Sequence, residues 1–214
     1  KITLSGSLEC ASGVGASAAL ASSIARALGR HFSLNLTNDQ VNEAAYAAET
    51  AGSGTPSGID NTCSTYGGML VFEKNLQGAK NKIELLKVKK PLDIVLASTG
   101  ITQETKIVVE EVKKAKEKEP ERFEKIFAQY RRVFDDALRA LKEGDVAAVG
   151  ALMDKNQELL RQINVTCPQT EQIISTAKKN GALGAKLTGT GRGGLVICLA
   201  ENKAGQEQIA KAIE

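Results

Sequence analysis

The succession of strand-like and helix-like patterns along these 214 residues predicts an α+β fold. Three observations carry that prediction. Short apolar, strand-forming runs cluster at Met69–Glu73, Ile83–Val88 and Ile94–Ser98 instead of alternating one for one with helices. The stretch from Gln103 to Arg161 is helical three times over, broken only at Pro120 and Gly144. Two further strands, Ala185–Thr188 and Leu195–Ala200, then flank the loop GTGRGG. A doubly wound sheet would alternate strand and helix throughout, and this chain does not.

Each element has a local reason. Ile2, Leu4 and Leu8 alternate with polar residues, which predicts an opening strand that feeds a small-residue loop, ASGVGASAAL from Ala11 to Leu20. A helix is expected to begin near Ala16. Thr37 and Gln40 are spaced as a capping box, and Val41, Ala44, Ala45 and Ala48 follow at helical spacing. Glu49 therefore falls at the C-terminal end of that helix, facing the glycine-rich segment 52–58. Pro168 opens a later helix that Gly181 closes, and a last helix occupies 203–213. No internal repeat and no low-complexity linker is present.

Composition excludes several classes. With 42% hydrophobic and 25% charged residues the chain reads as a globular protein able to bury a core. Its net charge of +3 is spread over mixed-sign runs such as KKAKEKEPERFEK, a solvated helix face and not a nucleic-acid stripe. His31 is the sole histidine, which removes histidine-based triads and His-rich metal sites. Cys10, Cys63, Cys167 and Cys198 lie far apart with no CxxC pair, so the thiols are expected to be reduced and buried. No apolar run is long enough to cross a membrane, and KITLSGSLEC does not read as a signal peptide, so a cytoplasmic or organelle-matrix location is expected.

Three segments could carry chemistry. In the first loop, Gly13 and Gly15 permit backbone conformations closed to other residues, and the helix after Ala16 would point its free N–H groups and positive dipole end at a phosphate. No lysine sits in this loop, so a Walker motif is excluded and main-chain groups from Gly13, Val14, Gly15, Ala16 and Ser17 would do the holding. Ser17 could place its hydroxyl on a magnesium ion. The loop alone is equally consistent with a tight turn ending in a Ser N-cap.

The second segment, ETAGSGTPSGIDNTCSTYGG, contains Glu49 and Asp60. Phosphoryl transfer requires a metal bridging the terminal phosphates and an acid that orients the attacking hydroxyl or accepts its proton. Glu49 with Ser17 suits the first task and Asp60 the second, although taken singly such acids are more often cap or turn residues. The third segment, Gly189–Gly194, matches GxGxxG. A strand follows it where a dinucleotide-binding unit requires a helix, so that reading fails. A flexible loop that packs against a nucleotide or shapes the site is the expected role.

Taken together, these segments resemble the GHMP small-molecule kinases, most closely the mevalonate-phosphorylating members. PSGIDNTCSTYGG is the discriminating stretch; Ala11–Ala19 matches the family's phosphate loop and KLTGTGRGG its late glycine loop. MDKNQELLRQINV and ASTGITQET extend the likeness over nearly the whole chain. The resemblance implies a partial N-terminal domain of the ribosomal protein S5 domain 2-like type over 1–91 and a ferredoxin-like C-terminal domain over 92–214. It also implies ATP and magnesium as cofactors, with mevalonate as substrate and a homodimer as possible assembly. Asp60 becomes the catalytic acid or base, Glu49 and Ser17 the magnesium ligands, Gly189, Gly191 and Gly193 a loop closing on the site, and Thr105 a substrate neighbour. A segment that the family carries ahead of the glycine loop, with a lysine beside the catalytic acid, is expected to be missing from this sequence. At Arg192 the family usually has glycine. That arginine could reach a phosphate, and its position at a loop tip favours solvent. Other members, acting on phosphomevalonate, homoserine or sugars, and a non-catalytic nucleotide- or metabolite-binding relative are the competing readings.

Overall fold

The structure is a computed structural model that describes residues 1–5, 14–53, 56–75, 77, 81–101 and 103–214, leaving out the side chain of Ser53. Within them lie helices α1 (Ala16–His31), α2 (Asn38–Ser53), α3 (Ile59–Tyr66), α4 (Thr105–Lys118), α5 (Pro120–Glu143), α6 (Val146–Gln162), α7 (Pro168–Lys179) and α8 (Lys203–Ile213). The strands are β1 (Met69–Glu73), β2 (Lys82–Leu86), β3 (Asp93–Ser98), β4 (Gly184–Thr188) and β5 (Leu195–Ala200). The chain divides into two compact units, Lys1–Lys87 and Val88–Glu214. No helix among the described residues is long and apolar enough to cross a membrane.

In the first unit, α1, α2 and α3 pack on one another and β1 pairs antiparallel with β2, Met69 opposite Leu86 and Glu73 opposite Lys82. The capping box forms: Thr37 N donates to Gln40 Oε1 at 2.9 Å and Gln40 N to Thr37 Oγ1 at 3.3 Å. The opening strand does not form over residues 1–5, where Ile2 and Leu4 are 60% and 63% exposed. A strand is stable only against a partner ladder, and no described strand offers one there; Leu8 lies outside the described residues. Helix α3 is the element the sequence pattern hid. Its eight residues, IDNTCSTY, contain one aliphatic side chain, so no apolar stripe marks it.

Polar groups replace that stripe. Buried Asn61 donates from Nδ2 to Asn42 Oδ1 at 2.7 Å, Thr62 Oγ1 donates to Gly58 O at 2.6 Å, and Ser22 Oγ lies 3.3 Å from Thr65 Oγ1. Arg26 of α1 donates to Thr65 O at 2.7 Å and to Asn38 Oδ1 at 2.9 Å. Each satisfied pair keeps a buried polar atom from costing its desolvation, and together they fix the rotation of α3 against α1 and α2.

In the second unit β5 lies between β3 and β4, antiparallel to both, with Cys198 opposite Val95 and Ala185. This strand order, with α4–α7 between β3 and β4 and α8 after β5, agrees with the ferredoxin-like arrangement expected. Val196, Cys198 and Ala200 pack with Ile174, Ala177 and Ile209 of α7 and α8, while Leu199 packs with Ala140, Val149 and Leu152 of α5 and α6. Alternate residues of β5 thus meet different helices, which is why the strand reads as continuously apolar.

Helix α6 also protects the outer edge of β4. Ala185 N donates to Asp154 Oδ1 and Leu187 N to Gln157 Oε1, both at 3.0 Å, so the ladder's spare donors are satisfied by helix side chains. Such proximity requires Gly150 and Gly184: a Cβ on Gly184 would lie 2.1 Å from Gly150 O. Of the thiols, Cys198 is buried and Cys167 half-buried, but Cys63 is exposed, against the sequence expectation. It stands one helical turn after Asp60 on the short α3, whose packing depends on polar contacts. Cys10 lies outside the described residues.

Candidate active site

The start of α1 sets the first part of the site. Gly15 is the N-cap residue in the left-handed conformation at φ 69°, no side chain caps the helix, and no acid occupies its first turn. A helix begun this way leaves its first N–H groups and its dipole uncompensated by its own sequence. Ser17 lies inside the helix and is therefore not its N-cap. Its hydroxyl is exposed and donates to Glu49 Oε1 at 2.7 Å. Val14 is 38% exposed and Ala16 half-buried beside it, while Gly13 lies outside the described residues.

Asp60 closes the arrangement. It stands in the first turn of α3 after Gly58, whose φ of 90° turns the chain sharply into the helix. A methyl placed on Gly15 would come within 3.6 Å of Asp60 Cβ and 3.9 Å of Oδ1, so this carboxyl packs against the glycine turn itself. Glu49, half-buried near the end of α2, raises the Asp60 pKa by its charge, and partial burial raises it more. A helix N-terminus favours the ionised form, but burial and the neighbouring carboxylate outweigh it. Four residues dispersed over 46 positions of sequence thus share one locus: Gly15, Ser17, Glu49 and Asp60.

The remaining residues singled out by sequence gather in the second unit. Thr105, the first residue of α4, has Oγ1 2.9 Å from Thr190 Oγ1 in the β4–β5 loop. Backbone hydrogen bonds tie that loop to neighbouring segments. Arg192 N donates to Val165 O at 2.7 Å, Gly194 N to Ile101 O at 2.8 Å, and Thr99 N to Gly194 O at 2.9 Å. A Cβ on Gly191 would sit 2.1 Å from Val165 O and one on Gly193 2.6 Å from Ile101 O. Crowding by the protein's own carbonyls explains these two glycines. Gly189 and Gly194 meet nothing within 4 Å, and their φ values of 77° and 74° explain them.

Arg192 does not point freely into solvent. Its guanidinium forms a short ion pair with Glu111 of α4, and Nε donates to Asn164 O at 3.0 Å. Sequence reading also passed over Asn61, Thr65 and Arg26, which hold α3; the NTCST run after Asp60 was the available signal, as a cluster of hydrogen-bonding side chains on a helix bound for the interior.

The GHMP kinases N terminal domain matches residues 1–68 and the GHMP kinases C terminal domain matches 137–214, together more than half the chain. The chain belongs to the GHMP kinase family. Among family members, a mevalonate kinase of Thermococcus sibiricus is 33% identical over 218 aligned residues, and one of Pyrococcus furiosus is 32% identical. Each alignment covers 100% of this chain and 63% of the relative, so the chain spans less than two thirds of their length. Among solved structures, L. major mevalonate kinase in complex with R-mevalonate superposes with a TM-score of 0.91 at 39% identity, covering 96% of this chain and 63% of that one. The Methanococcus jannaschii mevalonate kinase gives a TM-score of 0.79 at 27% identity.

Proposed function

We propose that this chain carries the phosphoryl-transfer centre of an ATP-dependent mevalonate kinase, which moves the terminal phosphoryl group to the primary hydroxyl of mevalonate. The observation that carries the proposal is the convergence of Gly15, Ser17, Glu49 and Asp60, supported by the relatives named above and by the R-mevalonate in the complex of the L. major relative. ATP supplies the phosphoryl group when bound, and this chain's groups position and polarise around it.

Asp60 orients the attacking hydroxyl and takes its proton. A carboxyl raised above its ordinary value is a stronger base than an ordinary aspartate, and it keeps solvent access for exchanging that proton. Main-chain N–H groups at Val14, Gly15, Ala16 and Ser17 cradle the phosphates at the uncapped start of α1, and the sequence motif assigns Gly13 to the same role. The donors beside them are oxygens only, Ser17 Oγ and the Glu49 carboxylate, which suits a small hard cation that keeps most of its waters. Ser17 and Glu49 would hold magnesium, whose charge offsets that of the phosphates. Gly189, Gly191 and Gly193 are assigned to the nucleotide loop and Thr105 to the substrate side.

The test is direct transfer from ATP to R-mevalonate by the full-length protein, followed as ADP release and as the mass of 5-phosphomevalonate. Phosphomevalonate, homoserine and galactose serve as competing acceptors. Preferential turnover of mevalonate is expected; faster transfer to another acceptor, or none to any, overturns the assignment.

A further inference from the structure

We propose that the Arg192–Glu111 pair is a latch that sets the conformation of the β4–β5 glycine loop before nucleotide arrives, making Arg192 a positioning residue and not a phosphate ligand. The part of the proposal that concerns nucleotide rests on the kinase reading above.

Four observations at Arg192 converge. Its φ of 54° is the left-handed region, which a long side chain occupies only where its surroundings hold it there. Its backbone N–H is committed to Val165 O at 2.7 Å, and its Nε to Asn164 O at 3.0 Å, both carbonyls in the segment that follows α6. The guanidinium, on a side chain 25% exposed, then pairs with Glu111 two turns into α4, whose side chain is 49% exposed. One side chain thereby ties the loop to α4 and to the segment that follows α6. Thr190 and Thr105 add a second tie to the first residue of α4.

The charge accounting decides between the two roles. A phosphate-binding arginine presents its donors toward the ligand with its charge uncompensated. At Arg192 a carboxylate already compensates that charge, and a backbone carbonyl takes up Nε. The same contacts remove conformations the loop would otherwise have to lose on binding, and a pre-ordered loop binds at lower entropic cost.

The test uses the full-length protein with Glu111→Ala, Arg192→Ala, the double variant and the charge exchange Glu111→Arg with Arg192→Glu. In the absence of nucleotide, amide hydrogen exchange at Arg192 and Gly194 should accelerate about tenfold in either single variant. The KM for ATP should rise about three- to tenfold in both, the double variant should be no worse than the singles, and the charge exchange should recover much of the loss. Opposite signs would overturn the latch: if Glu111→Ala lowers the KM for ATP while Arg192→Ala raises it, releasing the arginine has freed a phosphate ligand. Unchanged exchange in both singles would overturn it as well. Loosened exchange in a protein that phosphorylates no acceptor would retire the kinase assignment and support the latch as a loop-positioning contact.

Discussion

Asp60 experiences three opposing influences. The first turn of α3 favours its ionised form, whereas partial burial and then the charge of Glu49 disfavour it, and the net direction is upward. Asp60→Asn keeps the shape and removes the base, so kcat should fall by about 10²-fold or more while the KM for ATP stays nearly constant. Steady-state kinetics on correctly folded protein checks this, and near-normal turnover would remove Asp60 from the mechanism. Glu49→Gln deletes one of the two influences raising the Asp60 pKa. The acid limb of the kcat/KM profile should therefore move to lower pH, only part of the way toward an ordinary carboxyl because burial remains. A limb that stays in place would show that Glu49 does not set the protonation of Asp60. Asp60 stood out as a candidate from its Pro/Ser/Gly frame, but its proximity to Gly15 was not legible. That closeness depends on Asn61 and Thr65 finding partners in other helices, and periodicity carries no record of partners.

At the scale of elements, the β4–β5 loop shows two different uses of glycine. Gly189 has open space around its missing Cβ and a φ of 77°, so Gly189→Ala bears backbone strain alone, about 1 kcal/mol. Gly191 has a φ of 88° and Val165 O 2.1 Å from where a Cβ would stand. Gly191→Ala should cost about 3 kcal/mol or more, because a backbone carbonyl must move as well. Urea denaturation of the two variants separates the terms, and equal losses would show that the close approach is not maintained. The long helices α5 to α7 were legible because Pro120, Gly144 and Pro168 punctuate a helical pattern. Helix α3 and the unformed opening strand were not, for opposite reasons: one lacks an apolar stripe yet finds polar partners, the other has the alternation yet no ladder among the described residues.

At the scale of the whole molecule, stability against acid is governed by carboxylates that gain partners on folding. Glu171 of α7 accepts from Arg161 at 2.7 Å, and from Thr166 and Gln157, and these bonds with Arg161 foremost hold its pKa below the usual carboxylate value. A depressed carboxyl contributes stability that is complete above the unfolded value of 4.5 and is lost as pH falls through the lower folded value. Glu171→Gln should thus be less stable than the parent at neutral pH, with the gap closing as the pH drops below the carboxylate range. Thermal melts from pH 7 down to pH 3 measure the gap, and a difference independent of pH would assign the loss to packing. Gln157, which bonds both Glu171 and the β4 backbone, links this network to the strand that leads into the glycine loop.

Local chemistry determined what the sequence could show by itself. Caps, proline and glycine punctuation, strand runs and the residue types suited to phosphate and proton handling are each written within a few neighbouring positions, and so is the family likeness. Tertiary structure alone decided which of those residues meet. Ser17 bonds Glu49 across 32 positions, and Arg192 pairs with Glu111 across 81. The physical reason is that a hydrogen bond or ion pair depends on ångström-scale separation, whereas sequence patterning reports only which face of an element a residue occupies.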